Sequence, residues 1–466
     1  MDKLPPPSSD SASADAYGTR PGQATSAVPQ GRIGRLARMG GLATGLASGM
    51  VAEGVRRWSQ GERPSVRDLL LTPANARRVA DQLAQLRGAA MKVGQLLSMD
   101  AGDLLPPELT DILSRLRADA RPMPLGQVDD VLTAAWGAGW DQGFAQFGFT
   151  PIAAASIGQV HRARTRDGRE LAIKIQYPGI AQSIDSDVDN VAMLLRVSGL
   201  LPRGLDIAPL LAEARRQLHE EADYTREAEC LERFATLLEG DHAFVLPRTD
   251  ARFCAPTVIA MDYVAGEPVE SLVRAEPARR NAAATGLMRL LFRELFEFGW
   301  VQTDPNLANF QVQADDRIVL LDFGATRAYG PDIVQGYRQL MRAARDGDRA
   351  GVAAAAEAIG YFGAAIVPAQ REAVVDLFLT ACEPLRTPGL YDFGTSDLAT
   401  RIRDAGLALS MERDFWHTPP ADAIFLHRKL GGLYLLAARL GAQVPVQALV
   451  SPWLDAPENV AVSAPS

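Results

Sequence analysis

The spacing of hydrophobic positions changes several times along this chain. In NARRVADQLAQLRGAAMKVGQLLSMD, over 75–100, Leu83, Leu86, Ala90, Val93 and Leu97 recur at helical steps, which predicts a helix with one apolar face. LPPEL interrupts that pattern. From 144 to 176, FAQFGFTPIAAASIGQVHRARTRDGRELAIKIQ reads as short strands, with Asp167-Gly168 as a hairpin turn. A long helical run is predicted over about 180–238, followed by strand candidates in FVLPRT and TVIAMDYV. From about 280 onward the pattern is mostly helical. It is interrupted by VQTDPNLANFQVQADDRIVLLDFGATR, over 301–327, where IVLL reads as a strand. No internal repeat is present. Strands first, then a helical lobe, with polar motifs at the junction and helices in front, predict an α+β fold.

Composition bounds the possibilities. With 466 residues, 47% hydrophobic and 22% charged, the chain can form one large or two ordinary domains. A net charge of −8 gives no polybasic signal, so no nucleic-acid partner is expected. Cys230, Cys254 and Cys382 and the five His are scattered without zinc spacing, and the sparse cysteines suit a reducing compartment. Residues 1–33 are rich in Pro, Ser, Ala and Gly and are expected to be disordered. They lack the apolar core of a secretory signal, and Asp2, Asp10 and Asp15 argue against a transit peptide. No stretch reaches the ~18 apolar residues of a membrane span. MGGLATGLASGMV, over 39–51, lies between Arg38 and Glu53. Its Gly41, Gly45 and Gly49 permit close helix packing in a membrane or in a homodimer, and Arg32, Arg35 and Arg38 could touch anionic lipid.

Three motifs carry chemistry. AAASIGQVHRA matches the end of a protein-kinase phosphate loop at Gly158 and Val160, with Ala153 and Ala155 where that loop has glycine. An Ala-rich turn alone needs no ligand. Next, LAIK resembles the strand whose lysine pairs with nucleotide phosphates, here Lys174. A lysine in an apolar strand needs a carboxylate partner. HEEADYTREAECLERF offers Glu221, Asp223 and Glu227; Asp223 and Glu227 would share a helical face, and the pattern does not choose among them. Finally, Asp304, Asn309 and Asp322-Phe323-Gly324 reproduce the D-x-x-x-x-N and DFG order of a kinase catalytic loop. In that order Asn309 and Asp322 hold two Mg²⁺, and Asp304 is the base or positions the nucleophile. Asp315-Asp316 reads as the turn of an intervening hairpin.

Together these segments resemble the UbiB-type atypical kinase-like family (AarF/ABC1-like), in its ubiquinone-biosynthesis branch. The residues that carry the resemblance are KVGQ (Lys92, Gly94, Gln95), AAASIGQVH, AIKIQYPG, EADYTREA, QTDPNLANF, LDFGATR and FLHRKLGGLYLLAARL, and it covers roughly 34–445. It implies a bilobed kinase-like fold with its own N-terminal helices packed over the active site. The implied organisation is a tail over 1–33, a helical extension over 34–140, an N-lobe over 141–268, a C-lobe over 269–455 and a tail over 456–466. The resemblance implies ATP or ADP with Mg²⁺ as cofactors, bound through Ala153, Ala154, Ala155, Ser156, Gly158, Val160, Lys174, Glu221, Asp223 and Glu227. Glu227 becomes the partner of Lys174, while Glu221 and Asp223 should meet Lys92 and Gln95. Lys92, Lys174 and Asp304 form the implied catalytic set.

The Lys92 helix would block a protein substrate, which favours ATP hydrolysis coupled to lipid or protein partners. Gln302 and Thr303 precede Asp304 where kinases carry His-Arg, and no A-P-E follows the DFG. The expected protein is a bacterial, cytoplasm-facing ATPase, peripheral to the inner membrane. Its expected partners are membrane lipids or ubiquinone precursors, and the quinone-making enzymes. The rival readings are a true protein or small-molecule kinase and a nucleotide-gated scaffold without turnover.

Overall fold

The structure, a computed structural model, describes residues 88–90, 92–94, 122–155, 157–198, 207–304, 306–363, 366–411 and 420–456. The tail 1–33, the glycine stripe 41–49 and nearly all of 456–466 lie outside them. The chain divides into two compact units, Met1–Glu229 with Arg248–Tyr263, and Cys230–Pro247 with Val264–Ser466.

The first unit is built on an antiparallel sheet ordered β1 (Phe144–Phe147), β3 (Gly158–Thr165), β4 (Glu170–Gln176) and β6 (Val258–Asp262), with β2 (Ala153–Ala154) paired on β3. The β3–β4 turn closes through Gly168 N donating to Thr165 O at 3.0 Å, and Gly168 sits at φ 89°, a conformation glycine adopts without strain. Alternation along β4 puts Leu171, Ile173 and Ile175 into a core with Val258, Ala260 and, from helix α1 (Leu125–Trp136), Val128 and Leu132. Lys174 and Gln176 therefore point to the opposite face. The single helical run expected over 180–238 is three helices: α2 (Ile180–Ser198), α3 (Ala208–Glu221) and α4 (Tyr224–Leu237). Asp223 breaks the pattern between α3 and α4, because its carboxylate accepts from Arg226 N at 3.1 Å and caps α4. The expected shared helical face of Asp223 and Glu227 is corrected accordingly.

The second unit begins within α4 at Cys230. Its sheet runs β5 (Phe244–Val245), β10 (Ile318–Leu320), β9 (Phe310–Val312) and β7 (Glu267–Pro268). The β9–β10 hairpin turns at Asp315-Asp316, where Asp316 has φ 69° and is ion-paired with Arg279. Helix α5 (Pro277–Arg293) passes into a π-type turn, Glu294–Phe298, that ends on Gly299 and leads into β8 (Trp300–Gln302). Strand β8 pairs with β11 (Thr326–Ala328). Helices α6 (Pro331–Asp346), α7 (Arg349–Ile359), α8 (Pro368–Ala381), α9 (Glu383–Arg386), α10 (Leu398–Met411), α11 (Ala421–Leu440) and α12 (Val446–Leu454) complete the unit. A small strand pair, β12 (Tyr391–Asp392) with β13 (Gln443–Val444), interrupts a stretch expected to be helical. Among the described residues no helix is long and apolar enough to cross a membrane.

Candidate nucleotide site

In the first unit Lys174 is buried, and its ammonium donates to both oxygens of Glu227, at 2.7 and 2.8 Å. Glu227 lies in the first turn of α4, where a carboxylate also meets the positive end of the helix. The Tyr224 ring packs beside the same ammonium, 5.1 Å from centroid to Nζ. Gln176, two residues along the strand, donates to Ala222 O at 2.9 Å. One face of β4 thus fixes the corner between α3 and α4, and with it the carboxylate that orients Lys174. The helical residues 88–90 and 92–94 bury Ala89, Ala90 and Val93, and Lys92 is ion-paired with Glu221 at the end of α3. Asp223 serves the α4 cap; Gln95 lies outside the described residues.

The Ala-rich loop is a hairpin. Ala153 and Ala154 pair with Val160 and Gln159, both alanines are exposed, and Ala155 N donates to Gly158 O at 2.9 Å. Val160 stands opposite Lys174 across β3–β4. Ser156 lies outside the described residues. Beneath the loop, Met123 N donates to Gln159 Oε1 at 2.8 Å, and the Gln159 amide nitrogen meets His161 Nε2 at 2.7 Å. His161 Nδ1 meets Gly148 O at 2.7 Å. A carbonyl only accepts, so the proton is on Nδ1 and Nε2 accepts from Gln159. Burial pushes His161 below its ordinary pKa and keeps it neutral. This relay was not among the expected site residues; Gln159 and His161, two apart and so on one face of β3, were its signal.

In the second unit Asp304 Oδ2 accepts from Asn309 Nδ2 at 2.9 Å, and Oδ1 accepts from Asn306 N at 3.1 Å. Asn306 in turn caps the short 3₁₀ turn Leu307–Asn309. That turn brings a D-x-x-x-x-N pair into contact. Asp322 Oδ1 accepts from Gly324 N at 2.9 Å, and the DFG phenylalanine, Phe323, is buried against Phe234 with ring centroids 4.8 Å apart. Thr303 ties the Asp304 strand to the segment after DFG, donating to Ala325 O from both N, at 3.0 Å, and Oγ1, at 2.7 Å. The segment after Gly324 has no free loop: Thr326–Ala328 is strand, Arg327 is ion-paired with Asp422 at 2.7 Å, and Tyr329 donates to Asp422 O. Helix α6 begins at Pro331.

This donor set suits a hard cation. Carboxylate and amide oxygens are what Mg²⁺ takes, through one or two protein groups completed by phosphate and water. The Asn309 amide nitrogen is engaged by Asp304, so its carbonyl oxygen is the metal-type donor. Among the described residues no group of three or more His, Cys, Asp or Glu could hold a metal by itself.

Residues 115–356, just over half of the chain, match the ABC1 atypical kinase-like domain. The chain belongs to this family. Along 90% of its length it is 39% identical to the atypical kinase COQ8, mitochondrial, of Saccharomyces cerevisiae, covering 84% of that protein. It is 40% identical to the atypical kinase COQ8B, mitochondrial, of Rattus norvegicus, covering 90% of this chain and 79% of the relative. A solved structural neighbour is Rv3197 from Mycobacterium tuberculosis in complex with erythromycin, at 27% identity and a TM-score of 0.56, covering 80% of this chain and 93% of that one. The fold is therefore α+β and kinase-like, as the UbiB-type motifs implied.

Proposed function

We propose that this ABC1-family chain is an atypical kinase-like ATPase that binds Mg²⁺ with ATP or ADP and supports ubiquinone biosynthesis. Its clients would be lipid precursors or quinone-making enzymes at a membrane surface. The observation that carries the nucleotide half is the buried Lys174 held by both oxygens of Glu227, on the strand that follows the Ala-rich hairpin. The pathway half rests on the UbiB-type motifs and on relatives named COQ8. Those relatives are named as mitochondrial proteins. For this chain, Arg32, Arg35 and Arg38 beside the glycine stripe support a peripheral position on an anionic membrane surface.

Lys174 would bind the nucleotide phosphates, with Glu227 fixing its direction. Asn309 and Asp322 would hold Mg²⁺, which when bound neutralises phosphate charge. Asp304, fixed by Asn309 and Asn306 N, would orient the attacking water, so that catalysis rests on positioning and electrostatics. Two observations favour hydrolysis over protein phosphorylation. Lys92 is engaged with Glu221, and the stretch after DFG is fastened as strand and ion pair.

The test follows phosphate release and phosphoryl transfer to added proteins by the purified chain, with and without anionic liposomes, using Asp322→Asn as the control. Release that rises with liposomes, vanishes in the variant and leaves proteins unlabelled is expected. Efficient labelling of a protein acceptor overturns the reading in favour of a kinase. Tight nucleotide binding without release overturns it in favour of a scaffold.

A further inference from the structure

Lys429 is the most deeply buried lysine among the described residues, at 2% exposure, and lies in α11 far along the chain from the Asp304 loop. Its ammonium donates to Gln302 Oε1 at 2.7 Å and lies 3.8 Å from Glu294, an ion-pair rather than a hydrogen-bond distance. The ring of Phe310, the residue after Asn309, packs 5.1 Å from the same ammonium. Glu294 is 1% exposed and opens the π-type turn, a distortion that recurs at functional sites. The cluster is expensive: Gln302 Nε2 and Glu294 Oε2 are buried without a hydrogen-bond partner. Burial pushes the Glu294 carboxyl up to about 7 and lowers Lys429 below its ordinary pKa, with the nearby Asp304 carboxylate opposing that fall. Core stability does not explain such an arrangement, since apolar residues of similar volume would serve a core as well or better.

Its position offers the explanation. Gln302 ends β8, two residues before Asp304, in the place where protein kinases carry the His of H-R-D. Asp422, Phe425 and Lys429 recur on one face of α11 at three- and four-residue steps. Asp422 takes Arg327 and Tyr329 beyond DFG, the Phe425 ring carries the Arg327 guanidinium 3.8 Å from its centroid, and Lys429 takes Gln302 before Asp304. One helix face therefore grips both strands of the β8–β11 ribbon.

We propose that Lys429 is a positioning residue for the Asp304 loop: bound to Gln302 and balanced by Glu294, it fixes the strand end that presents Asp304. Its catalytic consequence rests on the ATPase reading above; its positional consequence does not.

The test uses the full chain carrying Lys429→Met with Glu294→Gln, a pair that removes both buried charges and nearly preserves volume, beside Lys429→Met alone. Amide hydrogen exchange is read by mass spectrometry together with ATP turnover. The double variant should fold and keep its melting temperature. Exchange should speed by roughly tenfold in peptides over 300–312 and stay unchanged in α5 and α6. Turnover should drop about 100-fold in kcat with KM and Mg²⁺–ADP affinity kept, because misplacing Asp304 leaves the nucleotide contacts intact. Unchanged exchange over 300–312 in a folded double variant overturns the proposal, and so does loosening spread evenly through the unit. If the wild-type chain shows no turnover, the ATPase reading fails, and the exchange result still decides the role of Lys429.

Discussion

Gly158 stands opposite Gln176 in the β3–β4 register, and a Cβ there would lie 2.4 Å from the Ile175 carbonyl oxygen and 2.7 Å from the Tyr224 hydroxyl. Close packing of β3 on β4 and on the α4 corner therefore requires glycine with or without a nucleotide. Gly158→Ala should lower unfolding free energy by about 2 kcal/mol, the scale of overpacking against backbone, as read by urea denaturation of the nucleotide-free protein. Unchanged stability with weakened nucleotide binding would return Gly158 to a phosphate-loop role alone. Single residues were unevenly legible in the sequence. The pairing of Lys174 was legible because a lysine inside LAIK requires a carboxylate, and the contact of Asp304 with Asn309 because D-x-x-x-x-N sets the two on one short turn. Lys429 was not: in FLHRKLGGLY it reads as an ordinary helical lysine, and only the fold carries it to Gln302.

At the scale of elements, the decisive feature is the corner between α3 and α4. The pattern over 180–238 reads as one helix because Ala222 and Asp223 do not disrupt helical periodicity. The break comes from side-chain chemistry, Asp223 capping α4 and Gln176 binding Ala222 O. It sets Glu221 on one helix, toward Lys92, and Glu227 on the next, toward Lys174. If Asp223 acts as a cap, Asp223→Asn should be nearly neutral and Asp223→Ala should cost about 1 kcal/mol, since Asn caps as well as Asp. Thermal unfolding measures the stability and calorimetry the Mg²⁺–ADP affinity. An equal loss of affinity in both variants would instead make Asp223 a ligand contact. The strands of the first unit and the β9–β10 hairpin were legible from alternation and turn residues. The π-type turn and the β8–β11 ribbon were not, being too short to leave a periodic trace.

At the scale of the molecule, the chain distributes kinase-type chemistry over two compact units. The first holds the Lys174–Glu227 pair beside the Lys92–Glu221 pair; the second holds Asp304, Asn309 and Asp322 with the α11 grip behind them. Order along the sequence was enough to read the α+β class and the kinase-like family, because lysine strand, acidic helix and Asp/Asn/DFG loop follow in sequence. The central claim of the proposed function is that this chain binds a nucleotide together with Mg²⁺. Calorimetric titration of ADP into the full chain, with Mg²⁺ and with Mg²⁺ chelated, for wild type and Asp322→Asn, tests it most directly. Wild type should bind ADP at least about tenfold more tightly with Mg²⁺, a difference of roughly 1.4 kcal/mol, and Asp322→Asn should abolish that difference. No ADP binding, or binding indifferent to Mg²⁺ in the wild-type chain, would contradict it.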